Sequence, residues 1–288
     1  MILDLNTNIL LVGLGLIGGS YAKALKKKGF RITAIDTRRE AIDFALKEGI
    51  IDCGYTEPDE DAFQKADLLI FALYPHVFLD FVQKHQHKFK KGAVLTDVTG
   101  VKGCIVYEIQ SMLREDLELI AAHPMAGREV YGVENSDDAI FRGANYIVVP
   151  TEKNKPETVD LCRMLGAVLG FSRITTLSPE EHDDMIAFVS QLTHVIAITL
   201  MTCCDNTHLS DYTGDSFRDL TRIARINETM WSELFDLNKE ALLKRMDIFS
   251  EEFLALRSIL ASGDTEAMRE KMRLSTARRS HFDKKTRL

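Results

Sequence analysis

The sequence predicts an α/β N-terminal region, built on a mostly parallel sheet, followed by an all-α C-terminal region. Three observations predict it. Apolar runs of strand length alternate with helical patterns up to residue 176. No convincing strand pattern follows Leu177-Ser178-Pro179. The first apolar run ends in a glycine triplet that opens directly into a helical pattern.

That first run is Asn8 to Val12, and the triplet is Gly13-x-Gly15-x-x-Gly18. Gly13 permits a tight turn off the strand. Gly15 has no side chain to keep a pyrophosphate from the backbone, and Gly18 lets the helix pack closely on the strand. The helix start then turns free N–H groups and a positive partial charge toward phosphate. The loop Gly13, Leu14, Gly15, Leu16, Ile17, Gly18 is therefore the candidate dinucleotide cradle. The next strand, Arg31 to Ile35, stops at Asp36, about 20 residues beyond the glycines, where a carboxylate accepts hydrogen bonds from ribose hydroxyls. A carboxylate there repels a 2′-phosphate, so NAD is expected rather than NADP. Arg38 and Arg39 partly offset that repulsion.

The remaining elements follow in order. A helix is predicted from Arg39 to Glu48, stopped by Gly49. A buried strand, Ala66 to Leu73, ends at Tyr74-Pro75, with a helix after it. Gly92 to Asp97 is a strand and Cys104 to Leu113 a helix. Leu117 to Ala121 is a strand running into His123-Pro124. Tyr146 to Pro150 and Arg173 to Leu177 are strands flanking a helix from Lys155 to Leu169. At Ser178-Pro179-Glu180-Glu181 a helix cap, a proline in the first turn and a glutamate three residues on form a capping box. Helices are then expected from Pro179 to Thr207, Gly214 to Ala224, Glu228 to Phe235, Leu237 to Ser262, and from Asp264 onward. This gives a Rossmann-like domain over 1–176 and a helical domain over 177–288 with a ligand cleft between them.

Composition narrows the function classes. A net charge of −7 argues against nucleic acid or an anionic membrane surface as partner. No apolar run is expected to reach the ~18 residues of a membrane span, and no basic segment precedes the first apolar stretch as in a signal peptide. Five cysteines without a C-x-x-C pair read as reduced thiols in a cytoplasmic protein, and no metal site is expected. The basic residues Arg278, Arg279, Lys284, Lys285 and Arg287 read as a solvated helix end.

Open parallel sheets bind ligands beyond the carboxyl ends of their strands. Leu73, Tyr74 and Pro75 lie at one such end and Asp97 at the next, and they join the candidate cofactor set. His123 lies at a third, before a Pro-x-x-Gly turn. An imidazole there suits a base that accepts a hydroxyl proton as hydride leaves for a nicotinamide. In the helical half, Gly214-Asp215-Ser216-Phe217-Arg218-Asp219-Leu220-Thr221-Arg222 is the densest polar segment. Arg218 and Arg222, one helical turn apart, read either as a guanidinium fork for a carboxylate or as a surface ion-pair ladder. The nearby Trp231 favours the fork.

Gly-Leu-Gly-Leu-Ile-Gly-Gly-Ser, Asp-Val-Thr-Gly-Val-Lys, His-Pro-Met-Ala-Gly-x-Glu and Phe-Arg-Asp-x-Thr-Arg-Ile-Ala, then Met-Trp, occur in this order. The chain thereby resembles the NAD-dependent prephenate dehydrogenases of tyrosine biosynthesis over nearly its whole length. The resemblance implies oxidative decarboxylation of prephenate to 4-hydroxyphenylpyruvate, with His123 taking the ring-hydroxyl proton. It implies that Arg222 binds a substrate carboxylate, and that Asp219, Glu129 and Trp231 lie near the site. His194 by periodicity alone reads as a polar group in a packing face; the resemblance implies substrate contact. Gln191 stands where many relatives have a second histidine, so positive charge is missing there. Gly100 stands where many have a serine, leaving Thr99 as a weak substitute.

The resemblance also implies a homodimer through the helical half. The chain leaves no room after its last helices for the regulatory ACT or chorismate mutase domains of some relatives, so tyrosine is expected to inhibit at the active site itself. The rivals are an arogenate dehydrogenase, a β-hydroxy-acid dehydrogenase with a lysine base, and a non-catalytic NAD sensor that would keep Gly13, Gly15 and Asp36 but would not need both His123 and Arg222.

Overall fold

The computed structural model describes residues 3–282. Nine strands form two sheets. The first sheet is all-parallel: β1 (Ile9–Val12), β2 (Ile32–Ile35), β3 (Cys53–Tyr55), β4 (Leu68–Phe71), β5 (Val94–Asp97) and β6 (Glu118–Leu119), in the order β3-β2-β1-β4-β5-β6. Its crossovers are α1 (Leu16–Lys27), α2 (Arg39–Lys47), α3 (Glu60–Lys65), α4 (Pro75–His85) and α5 (Gly103–Met112). The central strands are continuous apolar runs because both faces are covered. Leu68, Leu69, Ile70 and Phe71 are 0% exposed, and each such side chain contributes about 1.5–3 kcal/mol through burial.

The register sets the functional edge. Val12 pairs with both Ile35 and Phe71, and Phe71 pairs with Asp97. Gly13, Asp36, Ala72 and Val98 therefore leave the sheet at one level. The sequence reading missed β3 and α3, which are too short to show a period; Asp59 caps α3 by accepting from the Ala62 N–H at 2.8 Å.

The strand predicted to run through Ala121 into His123 is broken in two. After β6 the chain bends at Ile120 into β7 (Ala121–Met125), which belongs to a second sheet with β8 (Asn145–Val149) and β9 (Arg173–Thr176). β7 is antiparallel to β8, and His123 pairs with Ile147 in mid-strand rather than following a strand end. α6 (Pro156–Leu169) connects β8 to β9.

The capping box forms as expected: Ser178 Oγ accepts from the Glu181 N–H, and the Glu181 carboxylate accepts from the Ser178 N–H at 2.9 Å. The helix it opens is not uniform. α7 (Pro179–Ile186) passes through a π-helical segment, Ala187–Leu192, into α8 (Thr193–Thr202) and ends short of Thr207. α9 (Leu209–Tyr212), α10 (Asp215–Thr221), a 3-10 turn at Arg222–Ala224 and α11 (Glu228–Leu237) follow. One expectation is overturned here. Pro179–Thr202 is long and apolar enough to cross a membrane by length and composition: an 18-residue window in it has a mean hydropathy of 1.7 and is 28% buried. Core helices of soluble proteins pass the same test.

The chain divides into two compact units, residues 1–239 and 240–288. The change from strand to helix at 177 thus lies within the first unit. The second is built mainly from α12 (Lys239–Ser262) and α13 (Thr265–Arg279), joined at Gly263 with φ +73° and capped by Asp264. A Lys271–Glu252 ion pair ties the two helices. Arg278 and Arg279 occupy the last turn of α13; Lys284, Lys285 and Arg287 lie outside the described residues.

Candidate active site

A cleft of about 790 Å³ runs within the first unit from the carboxyl edge of the parallel sheet to the π-helical segment and α11. Gly13, with φ +98°, forms its floor; a Cβ there would lie 2.4 Å from the Ala72 carbonyl oxygen. A Cβ on Gly15 would meet nothing within 4 Å, so the backbone is open to the cleft. Gly15 caps α1 without a side-chain hydrogen bond, and the first turn carries no acid. The N–H groups of that turn remain available to an anion. Leu16, Ile17 and Gly18 line the same end, as do Leu73, Tyr74 and Pro75.

Asp36 also lines the cleft. It accepts from the Leu14 N–H at 2.7 Å and from the Arg38 N–H at 2.9 Å. Leu14 itself is corrected as a cofactor contact. Its side chain is in the core at 0% exposure, its N–H is held by Asp36, and its carbonyl accepts from Arg38 Nη2 at 3.0 Å.

His123 lies in the cleft wall, and its support was not foreseen. His123 Nδ1 is 2.9 Å from His182 Nε2, and His182 Nδ1 is 2.7 Å from Asp183 Oδ1. The Asp183 carboxylate can only accept, so His182 carries its proton on Nδ1. His182 Nε2 then accepts from the His123 Nδ1–H, which leaves His123 Nε2 bare. Burial pushes the His123 pKa well below its ordinary 6.5, with His182 and Lys102 adding to the effect. Burial also lowers that of His182, against the pull of Asp183. Both rings are therefore neutral at pH 7. The contact joins residues 59 apart in the chain, so only a buried histidine in the first turns of α7 could have signalled it.

Asp97 and Thr99 are two further corrections. Asp97 is 1% exposed and does not line the cleft: it pairs with Lys102 Nζ at 2.6 Å and accepts from the Ala122 N–H at 3.2 Å. The Thr99 hydroxyl is turned into the same cluster, bonding Asp97 and accepting from Lys102 Nζ at 3.1 Å. It is not free for a substrate, although Thr99 lines the cleft.

On the helical side, His194 and Trp231 both line the cleft, their ring centroids 3.7 Å apart and their planes tilted by 32°. His194 Nδ1 donates to the Ser190 carbonyl at 2.8 Å, and burial lowers its pKa. Gln191 lines the cleft, but its amide is occupied, donating to the Leu234 carbonyl at 2.8 Å and accepting from Asn238 at 2.7 Å. It fastens α11 to the π-helical segment.

Arg222 is not among the cleft-lining residues; its exposed guanidinium pairs with Glu129, which is. The predicted fork with Arg218 does not form: Arg218 pairs with Asp215 at 3.5 Å and does not line the cleft, while Arg222 pairs with Glu129. Asp219 is exposed and outside the cleft lining. Arg128 and Arg225, which the sequence reading did not single out, line the cleft.

Residues 21–170 match the family described as prephenate dehydrogenase, nucleotide-binding domain, and residues 178–274 match prephenate dehydrogenase, dimerization domain. The chain is 31% identical to prephenate dehydrogenase from Bacillus subtilis over 274 residues, 91% of this chain and 72% of that protein. It is 32% identical to the Lactococcus lactis enzyme over 272 residues, 90% of this chain and 73% of that protein. Prephenate dehydrogenase from A. aeolicus, solved in complex with hydroxyphenyl propionate and NAD+, superposes with a TM-score of 0.88 at 30% identity, covering 96% of this chain and 98% of that one. A glycine cradle ending in a ribose-type carboxylate, and a bare imidazole nitrogen in the same cleft, are thus found in a chain that belongs to the prephenate dehydrogenase family.

Proposed function

We propose that this protein is an NAD-dependent prephenate dehydrogenase, oxidising and decarboxylating prephenate to 4-hydroxyphenylpyruvate. The observation that carries the reading is the His123–His182–Asp183 chain, which leaves an unprotonated imidazole nitrogen in the cleft that the glycine cradle opens. The open space over Gly15 and the Asp36 carboxylate fit a dinucleotide without a 2′-phosphate. Bound there, NAD supplies the hydride acceptor. His123 Nε2 takes the proton of the ring hydroxyl as hydride leaves the carbon that bears it. The developing carbonyl and the ring diene take up the electrons of the breaking carboxylate bond, carbon dioxide leaves, and the ring becomes aromatic. His194 and Trp231 wall the ring site, and Arg222, released from Glu129, meets a substrate carboxylate.

NADH absorbance followed with prephenate and with arogenate, using NAD and NADP, tests reaction and specificity together. Turnover with neither substrate rejects the reading. Replacing Arg222 by Ala is expected to raise KM for prephenate about tenfold with kcat within about threefold. Its ion pair is exposed, so stability should hardly change.

The neutral histidine pair predicts a pH response. In the unfolded chain these histidines titrate near 6.5; the folded protein resists their protonation. Stability from this source is complete above pH 6.5 and is lost as the pH falls below it. The acid limb of kcat should likewise lie below pH 6.5, measured by initial rates with saturating prephenate.

A homodimer is supported by apolar side chains left uncovered within each unit. Phe188 is 54% exposed, and Phe253 and Leu254 are 60% and 59% exposed. The matched helical family is itself described as a dimerization domain. Light scattering at twice the 32.5 kDa chain mass is the expected result. A cytoplasmic setting fits the five free cysteines, and tyrosine should inhibit competitively with prephenate.

A further inference from the structure

The turn from Asp97 to Gly103 holds a buried ion pair that the reaction as described does not use. Lys102 is 0% exposed and Asp97 1%. A buried pair is weak evidence for stability, since desolvation offsets most of the attraction. Its contacts suggest a different use. The Lys102 ammonium spends its donors on Asp97 Oδ2 at 2.6 Å, Thr99 Oγ1 at 3.1 Å and the Ala122 carbonyl at 2.7 Å. Asp97 Oδ1 accepts from the Ala122 N–H at 3.2 Å. Both polar groups of the Ala122 peptide are therefore gripped, and Ala122 immediately precedes His123 on β7.

The same turn also holds the far end of the histidine chain. The Lys102 N–H donates to Asp183 Oδ1 at 2.9 Å and the Gly103 N–H to Asp183 Oδ2 at 2.7 Å. Asp183 in turn orients His182, which orients the His123 ring. One short turn thus fixes the backbone beside His123 through its side chains and the imidazole through its N–H groups.

We propose that the Asp97–Lys102 pair is a positioning device for the proton-accepting imidazole: its side chains set where His123 sits by gripping the Ala122 peptide, and they hold the turn whose N–H groups orient Asp183 and His182. This rests on His123 being the base. Lys102 also places a fixed positive charge near that ring, which opposes its protonation. The titratable groups around Lys102 are Asp97 on β5, Cys162 on α6, His123 on β7, and His182 and Asp183 on α7. The cleft adds Arg128, Glu129, His194 and Arg225.

Lys102→Met is the test, with kcat, KM and NAD affinity measured across pH. A loosened base geometry should lower kcat by about 10–100-fold, with KM for prephenate and NAD affinity within about threefold. Loss of the cation should move the acid limb of kcat to higher pH. If Lys102→Met does not fold, the same readings are taken on Asp97→Asn/Lys102→Met, which leaves no lone buried charge. An unmoved limb with kcat within about twofold overturns the proposal. So does a fall in kcat matched by an equal loss of NAD affinity, which marks general loosening. His123→Asn is measured alongside: if it retains activity, the base assignment itself fails, whereas an inactive His123→Asn with an unaffected Lys102→Met rejects the positioning role alone.

Discussion

Replacing His123 with asparagine is expected to lower kcat by about 10³-fold or more while leaving NAD binding intact. Asparagine is smaller than imidazole and keeps a hydrogen-bonding amide, so β7 and its pairing to Ile147 should persist. What it cannot do is accept a proton. Removing a positioned base from a step in which hydroxyl deprotonation accompanies hydride loss costs two to four orders of magnitude. The loss should fall on kcat and kcat/KM alike, because the interaction is made only as the proton moves. Titration of NAD against the variant, by quenching of Trp231 fluorescence, provides the second reading. Near-full activity in His123→Asn would remove the imidazole from the mechanism.

The second large effect is structural. Gly18→Ala is expected to destabilise the first unit by about 2–3 kcal/mol and to abolish NAD binding. A Cβ at position 18 would stand 2.0 Å from the Gly13 carbonyl oxygen and 3.1 Å from Ala72 Cβ. The first obstacle is backbone, so no rotamer relieves it. Either α1 moves off the sheet or the Gly13 turn opens, and in both cases the free N–H groups of the helix start leave their place. Gly15→Ala is the informative contrast. A Cβ there meets nothing within 4 Å, so stability should hold while NAD affinity falls, because the methyl occupies the phosphate approach. Thermal melts with NAD titration separate the two.

The features legible in the sequence are those dictated by neighbours in the chain. The glycine cradle needs three glycines at fixed offsets, Asp36 needs only the end of the next strand, and the Ser178–Glu181 box needs residues three apart. These follow from local geometry. The bend at Ile120 was hidden because β6 and β7 are separated by a single residue within one apolar run. Nothing in periodicity marks where a run changes sheets. The His123–His182 contact and the burial of Asp97 against Lys102 depend on tertiary packing and on side-chain direction, which spacing leaves open. The guanidinium fork failed because spacing does not fix the partner of a side chain: Arg218 pairs with Asp215 on its own helix, while Arg222 reaches Glu129, 93 residues away in the chain.

The π-helical segment at Ala187–Leu192 carries a consequence of its own. A wider turn accommodates one residue more than an α-helix would over the same rise. Tightening that segment to α-helical geometry with no residue removed would leave hydropathy and helix length almost untouched, yet rotate everything downstream by about 100° relative to α7. His194 would swing away from Trp231 while His182 kept its place. The wide turn therefore sets the angular phase between the His182 and His194 faces, so one continuous helix holds His123 with the first and lines the same cleft with the second.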